Sequence, residues 1–286
     1  MATLTQGYSG RTAYELALCA DYAYAPEREC IQRLLETGFP DVKVYDFAST
    51  FSYVADDGKN ILIGYRGTAD LDDLLSDADI RLIRHGYAAV HAGFWRYTMR
   101  TWPQMARRIA GIPSGRQVYF TGHSLGAAAC TLAAHRLATV IERDKLAHRV
   151  AGVYLYGSPK VGGASFVREY NEMLGDVTFR HWNNNDPVCW VPFKLGTYRH
   201  VAVKNLRYFT FDGVRIVNPS LRERLRDSRR GAAMFLAQVA WDAACRWRKC
   251  RWSPCRSIRW ALLSNLSRFD HYMDCYIELT RRYSDQ

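Results

Sequence analysis

The sequence predicts an α/β protein with a mostly parallel central sheet and helices on both faces. Three observations carry that reading: β-rich runs alternate with helical runs along 286 residues, a glycine-bracketed turn joins one strand to one helix, and no internal repeat breaks the order. A single domain over residues 1–286 is expected, because this length supports one large core. With 13% aromatic residues and only 20 Gly and 9 Pro, the composition excludes disordered and collagen-like chains.

Taken in order, Ala13–Tyr24 carries apolar residues at helical spacing. The β-rich runs Val42–Ser49, Phe51–Ala55 and Asn60–Tyr65 follow, and Asp56-Asp57-Gly58 between the last two is a hairpin turn signal. His91–Ile109 reads as a helix and Gln117–Thr121 as a short apolar strand. An Ala-rich helix then runs from Leu125 to about Ile141, and Arg149–Tyr156 is again a strand. Val177–Trp182 and Arg199–Phe211 complete the strand-like runs.

Gly122-His123-Ser124-Leu125-Gly126 is a G-x-S-x-G between a predicted strand and a predicted helix. A strand that turns so sharply into a helix leaves no room for bulk beside the serine. That accounts for Gly122 and Gly126 and pushes the Ser124 hydroxyl outward. The helix that follows aims its free N–H groups at the same point, where an oxyanion would develop. A serine nucleophile further needs a base for its proton and a carboxylate to orient that base.

Four stretches in order resemble the class 3 (fungal-type) lipase family of the α/β-hydrolase superfamily. They are Tyr65-Arg66-Gly67-Thr68, His91-Ala92-Gly93-Phe94, the elbow itself, and Tyr156-Gly157-Ser158-Pro159-Lys160-Val161-Gly162. The resemblance covers roughly Ala13 to Val203 and the C-terminal end. It implies an α/β-hydrolase fold, and it departs from the usual pattern at Ala127, Lys160 and Gly163 without removing a catalytic atom. Asn185-Asp186-Pro187-Val188, with Val191-Pro192 behind it, is similar to the family's acid segment and implies Asp186 as the triad carboxylate. Both His200 and His271 follow Asp186, so chain order alone leaves the base open. The family's catalytic histidine precedes a last helix, which favours His271 and keeps His200 as the alternative. The resemblance also implies Thr68 as one oxyanion donor, beside the N–H of Leu125.

Leu71, Leu74 and Leu75 in the segment 70–77 give a short helix with one apolar and one acidic face. Lids of such lipases sit at this position, and a fixed core helix fits the pattern equally well. Net charge is +11, yet from Leu221 to Trp260 eleven Arg and Lys stand against three acids, so most of the excess lies in one stretch. That stretch, an insertion at about 219–262, interleaves Trp241, Trp247, Trp252 and Trp260 with arginines, as interfacial segments on anionic membranes do. A packed helix with a solvated Arg rim is the other reading. Nucleic-acid binding is not expected, since no recognised module surrounds the basic stretch.

Eight cysteines without C-x-x-C spacing imply reduced thiols, and no zinc or other metal site is expected. Met1–Tyr24 lacks the layout of a Sec signal, and Gly231–Cys245 is too short to span a bilayer. Both a cytoplasmic location and export without a Sec signal therefore stay open. The expectation is a cofactor-free serine hydrolase acting on acylglycerol or phospholipid esters. The alternatives are an esterase for short or plant-derived acyl groups and a catalytically silent membrane- or partner-binding module.

Overall fold

The computed structural model describes residues 4–68, 81–85, 88–144, 148–192, 197–230 and 271–285. The segment 70–77 and the basic stretch beyond residue 230 lie outside the described residues. Eight strands form the main sheet in the order β1 (Asp41–Phe47), β2 (Thr50–Asp56), β3 (Asn60–Tyr65), β6 (Gln117–His123), β7 (Arg149–Tyr156), β8 (Thr178–Asn183), β9 (Leu206–Phe209), β10 (Arg215–Val217). From β3 to β9 every neighbouring pair is parallel, and antiparallel hairpins close both edges. β4 (Leu82–His85) and β5 (Ala88–His91) pair separately.

Side-chain alternation along the central strands builds two cores. Ile61, Ile63 and Tyr65 of β3, Val118 and Phe120 of β6, and Val153 and Leu155 of β7 face one way. They meet α3 (Ala92–Met99), α4 (Trp102–Ala110), α5 (Leu125–Asp144) and α6 (Ala164–Leu174). Leu62, Tyr119, Tyr154 and Tyr156 face the other way, against α1 (Gly10–Tyr22), α2 (Glu27–Glu36) and the C-terminal helix, here α8 (Met273–Arg281). Residues 221–230 form the helix α7. The sheet thus carries helices on both faces, as α/β order demands.

Sheet hydroxyls fasten α1. Tyr53 Oη donates to Cys19 O at 2.9 Å, Thr121 Oγ1 to Leu16 O at 2.6 Å, and Tyr156 Oη to Ala13 O. Ser9 caps the helix by accepting from Thr12 N at 3.3 Å. The β2–β3 turn is built as its sequence predicts. Asp57 Oδ1 accepts from Lys59 N and Asn60 N at 2.7 and 2.6 Å, and Gly58 has φ +88°.

Two expected elements divide. His91–Ile109 is the end of β5 followed by two helices, because Pro103 supplies no N–H for the Met99 carbonyl and opens a new helix at Trp102. Arg199–Phe211 contributes only a bridge at Arg199 and the strand β9, since Ala202 turns left-handed at φ +45° between them. α2 and α6 were not among the expected elements. In α6, Phe166, Tyr170 and Leu174 recur every four residues and are its buried face. In α2 only Cys30 and Leu34 are buried, which leaves little periodic signal.

Candidate active site

The C-terminal ends of the parallel strands, where open α/β sheets place their ligands, bring together residues far apart in sequence. β6 ends in the elbow. Ser124 holds φ +58°, a left-handed conformation that costs an ordinary residue about 1–2 kcal/mol. Contacts on every side impose it. Ser124 N donates to Tyr156 O at 3.0 Å, and Ser124 O receives Ala127 N at 3.0 Å as α5 begins. A Cβ on Gly126 would lie 2.2 Å from Tyr65 O, and one on Gly122 would lie 2.6 Å from Gly126 O. Both glycines are therefore space requirements. Ser124 is 1% exposed, and its Oγ has no hydrogen-bond partner among the described residues.

Leu125 is the first residue of α5, so by position its N–H has no acceptor within the helix. The loop after β3 passes directly over the elbow: a Cβ on Gly67 would come within 3.2 Å of Ser124 Cβ. Thr68, half-buried, is the next residue along that loop. The backbone of the expected donor loop thus runs beside the serine.

Asp186 follows β8 and is wholly buried. His271 Nδ1 lies 2.9 Å from each of its carboxylate oxygens, Oδ1 and Oδ2. Val188 N donates to Oδ1 at 2.9 Å, and Tyr276 Oη, from the second turn of α8, donates to Oδ2 at 2.6 Å. Tyr276 is a fixed donor, because burial and the neighbouring Asp186 charge push its hydroxyl pKa well above the usual value. Gly157 sits behind the pair with φ +55°. A Cβ there would come within 2.7 Å of Asp186 Oδ2 and 3.0 Å of the His271 ring. Sequence reasoning quoted Gly157 within a motif and gave neither it nor Tyr276 a part in the site.

The structure thus brings His271 to Asp186, while His200 turns elsewhere. His200 Nε2 lies 2.9 Å from Cys189 O, and its ring packs on Trp182 at 5.7 Å between centroids. Burial and the nearby Arg180 and Lys160 charges hold the His200 pKa well below the usual histidine value. The His271 ring stacks on His123 at a centroid distance of 4.5 Å, which sets it beside the elbow. Lys160 holds the loop beyond the acid, donating from Nζ to Trp190 O at 2.8 Å and Pro192 O at 3.3 Å. Among the described residues no cluster of three or more His, Cys, Asp or Glu is placed to hold a metal ion. A cavity of about 250 Å³ against α1, lined by Leu4, Arg11, Glu15, Cys19 and Phe39 among others, contains none of these residues.

Strand order, elbow and flanking helices together define an α/β-hydrolase fold. Residues 62–196 match the family model of class 3 lipases. Over 124 residues it is 34% identical to the toxin TseL of Vibrio cholerae serotype O1, covering 42% of this chain and 18% of TseL. It is 29% identical to secreted mono- and diacylglycerol lipase A of Penicillium cyclopium, over 62% of this chain and 57% of that protein. The chain therefore spans less than two thirds of the length of either relative. Lipase II of Rhizopus niveus superposes with a TM-score of 0.55 at 22% identity, over 71% of this chain and 82% of that one. A mutant form of the Penicillium cyclopium lipase gives 0.52 at 24% identity, over 69% and 77%.

Proposed function

We propose that the protein is a serine hydrolase that cleaves carboxylic esters of lipids, acylglycerols or phospholipids, through an acyl-enzyme. The observation that carries this reading is the buried Asp186–His271 pair placed against the left-handed Ser124 elbow. Ser124 Oγ attacks the ester carbonyl while His271 Nε2 takes its proton. Asp186, which holds Nδ1–H, orients the ring and stabilises the imidazolium that forms. The N–H groups of Leu125 and Thr68 receive the oxyanion. His271 then protonates the leaving alkoxide, and water repeats the sequence to release the acid. The Ser124–His271 hydrogen bond is not drawn up in this state, and in many hydrolases it tightens only around substrate.

Fluorophosphonate labelling tests the reading. Wild type is expected to be labelled and Ser124→Ala not; an unlabelled wild type would favour a silent binding module. Turnover of micellar against monomeric esters across acyl lengths separates a lipase from a short-chain or plant-acyl esterase.

Contact with anionic membrane through the segment 221–260 belongs to the same proposal. In α7, Arg224, Asp227 and Ser228 turn inward. Arg224 covers the Trp182 ring at 4.6 Å, Asp227 Oδ2 accepts from Tyr208 Oη at 2.8 Å, and Ser228 Oγ donates to Asn185 Oδ1. Leu221 and Leu225, 52% and 45% exposed, face outward beside the exposed Arg222, Arg226 and Arg229. Leucines flanked by arginines suit a lipid surface that offers both acyl chains and phosphates. The expected result is stronger binding to phosphatidylglycerol vesicles than to phosphatidylcholine vesicles, lost on replacing Leu225→Ser and Arg226→Glu together.

A further inference from the structure

His123 stands inside the elbow, buried, and the reaction sequence above gives it no task. Its two ring nitrogens are both engaged. Nε2 lies 2.6 Å from the backbone carbonyl oxygen of His271, and Nδ1 lies 2.9 Å from Tyr24 Oη, just beyond α1. A carbonyl oxygen only accepts, so Nε2 carries the proton and Nδ1 is left to accept from the Tyr24 hydroxyl. Tyr24 Oη in turn lies against Gly67, where a Cβ would be only 2.1 Å from it. One chain of contacts therefore runs from the loop over the serine, through Tyr24 and His123, to the main chain of the candidate base.

We infer that His123, kept in its Nε2–H form by Tyr24, is a positioning residue that fixes the His271 backbone relative to the Ser124 elbow and the Gly67–Thr68 loop. The inference rests on the hydrolase reading for its functional consequence, and on geometry for its structural content. Ring stacking alone would hold the two imidazoles near each other. The hydrogen bond to the His271 carbonyl also fixes the height of that ring above the elbow. His271 lies in a 3-10 turn just before α8, outside every strand, so β-ladder hydrogen bonds do not define its place. The elbow, by contrast, is locked into β6. His123 carries that order across to the base.

The protonation state supports the arrangement. Burial first, and then the neighbouring His271, hold the His123 pKa well below the ordinary histidine value. The titratable groups that face it are Tyr24 beyond α1, His271, and Tyr276 on α8, whose ring lies 5.8 Å away between centroids. Tyr24 and Tyr276 both have hydroxyl pKa values raised by burial, so neither supplies a charge near neutral pH. His123 therefore keeps one proton, and one direction for its donor, across the range in which His271 works.

Two measurements test the inference. In the wild-type protein, histidine ¹⁵N spectra are expected to show His123 as the neutral Nε2–H form from pH 5.5 to 8. A proton on Nδ1, or titration near pH 6.5, overturns it whatever the activity proves to be. Turnover of a soluble nitrophenyl ester supplies the second. His123→Leu, which keeps bulk and removes both nitrogens, is expected to lower kcat about 10- to 100-fold with KM nearly unchanged, as partners behind a reacting group do. His123→Gln places an amide donor near the Nε2 position and is expected to recover kcat to within about threefold of wild type, whereas a purely packing role would favour leucine. Leucine at wild-type kcat, or glutamine no better than leucine, overturns the positioning role. Retained turnover in Ser124→Ala overturns the hydrolase reading instead, and the nitrogen spectra then still decide the tautomer.

Discussion

The elbow and the Asp186–His271 pair reach the same point by opposite means. The elbow's residues are local: Gly122, Ser124 and Gly126 fall within five residues, and close backbone contacts, including those with Tyr65 O and Tyr156 O, define their geometry. The pair is assembled from residues 85 apart and is defined by side-chain hydrogen bonds in a fully buried pocket. Space that is already filled answers a substitution abruptly. A hydrogen-bond network answers by degrees, because each partner supplies a share of the orientation.

Substitutions on the two sides test that contrast, beginning with the largest effect. Ser124→Ala should abolish ester hydrolysis, a loss of about 10⁶ in kcat, with an unchanged melting temperature. Asp186→Asn keeps the shape of the acid and removes its charge, so kcat should fall about 10⁴-fold while the fold persists. Should it instead unfold the protein, the pair would be structural in the same sense as the elbow. Gly126→Ala forces a methyl into the Tyr65 carbonyl and should cost about 4 kcal/mol or more, read as loss of soluble protein or a steep drop in denaturant midpoint. A mild effect there would mean that the elbow, too, adjusts by degrees. Tyr276→Phe removes one charged hydrogen bond from Asp186, worth about 1.5–3 kcal/mol. Its kcat should fall by about tenfold, a graded loss that the elbow does not permit.

Acid should expose the smallest effect. Burial holds the His123 pKa well below its usual value, and burial together with Arg207 pushes that of His181 down to about 3. Both rings stay neutral in the folded protein, while the unfolded chain binds their protons near pH 6.5. Stability contributed by this difference is complete above that pH and falls as the pH drops through it. Each group should cost about 1.4 kcal/mol per pH unit below about pH 6, visible in urea midpoints between pH 7 and 5. His123→Gln should flatten that slope by one group's share.

The same contrast explains what the sequence made legible. The central strands were readable because both of their faces are covered, which makes them short, β-rich apolar runs; Asn60–Tyr65 and Arg149–Tyr156 fall where those runs put them. The elbow was readable because the residues its constraints demand all lie in one pentapeptide. Asp186 and His271 were not readable from spacing, since two histidines follow the acid and only family resemblance ranked them. Gly157, Tyr276 and Tyr24 were less accessible still. Their parts come from contacts across the sheet: Gly157 at the end of β7, Tyr276 on α8 and Tyr24 beyond α1 meet only once the chain has closed. The single helix expected over His91–Ile109 failed for a local reason that was visible in Pro103.

The 85-residue separation between Asp186 and His271 has a consequence in time as well as in space. At about 5–20 residues per second, a ribosome that has already made the elbow and the acid needs roughly 4–17 seconds more to reach the imidazole. Under the proposed mechanism, the growing chain holds a serine without a proton acceptor during that interval. Such a chain would be chemically silent while it is being made and would become reactive only when the last element docks.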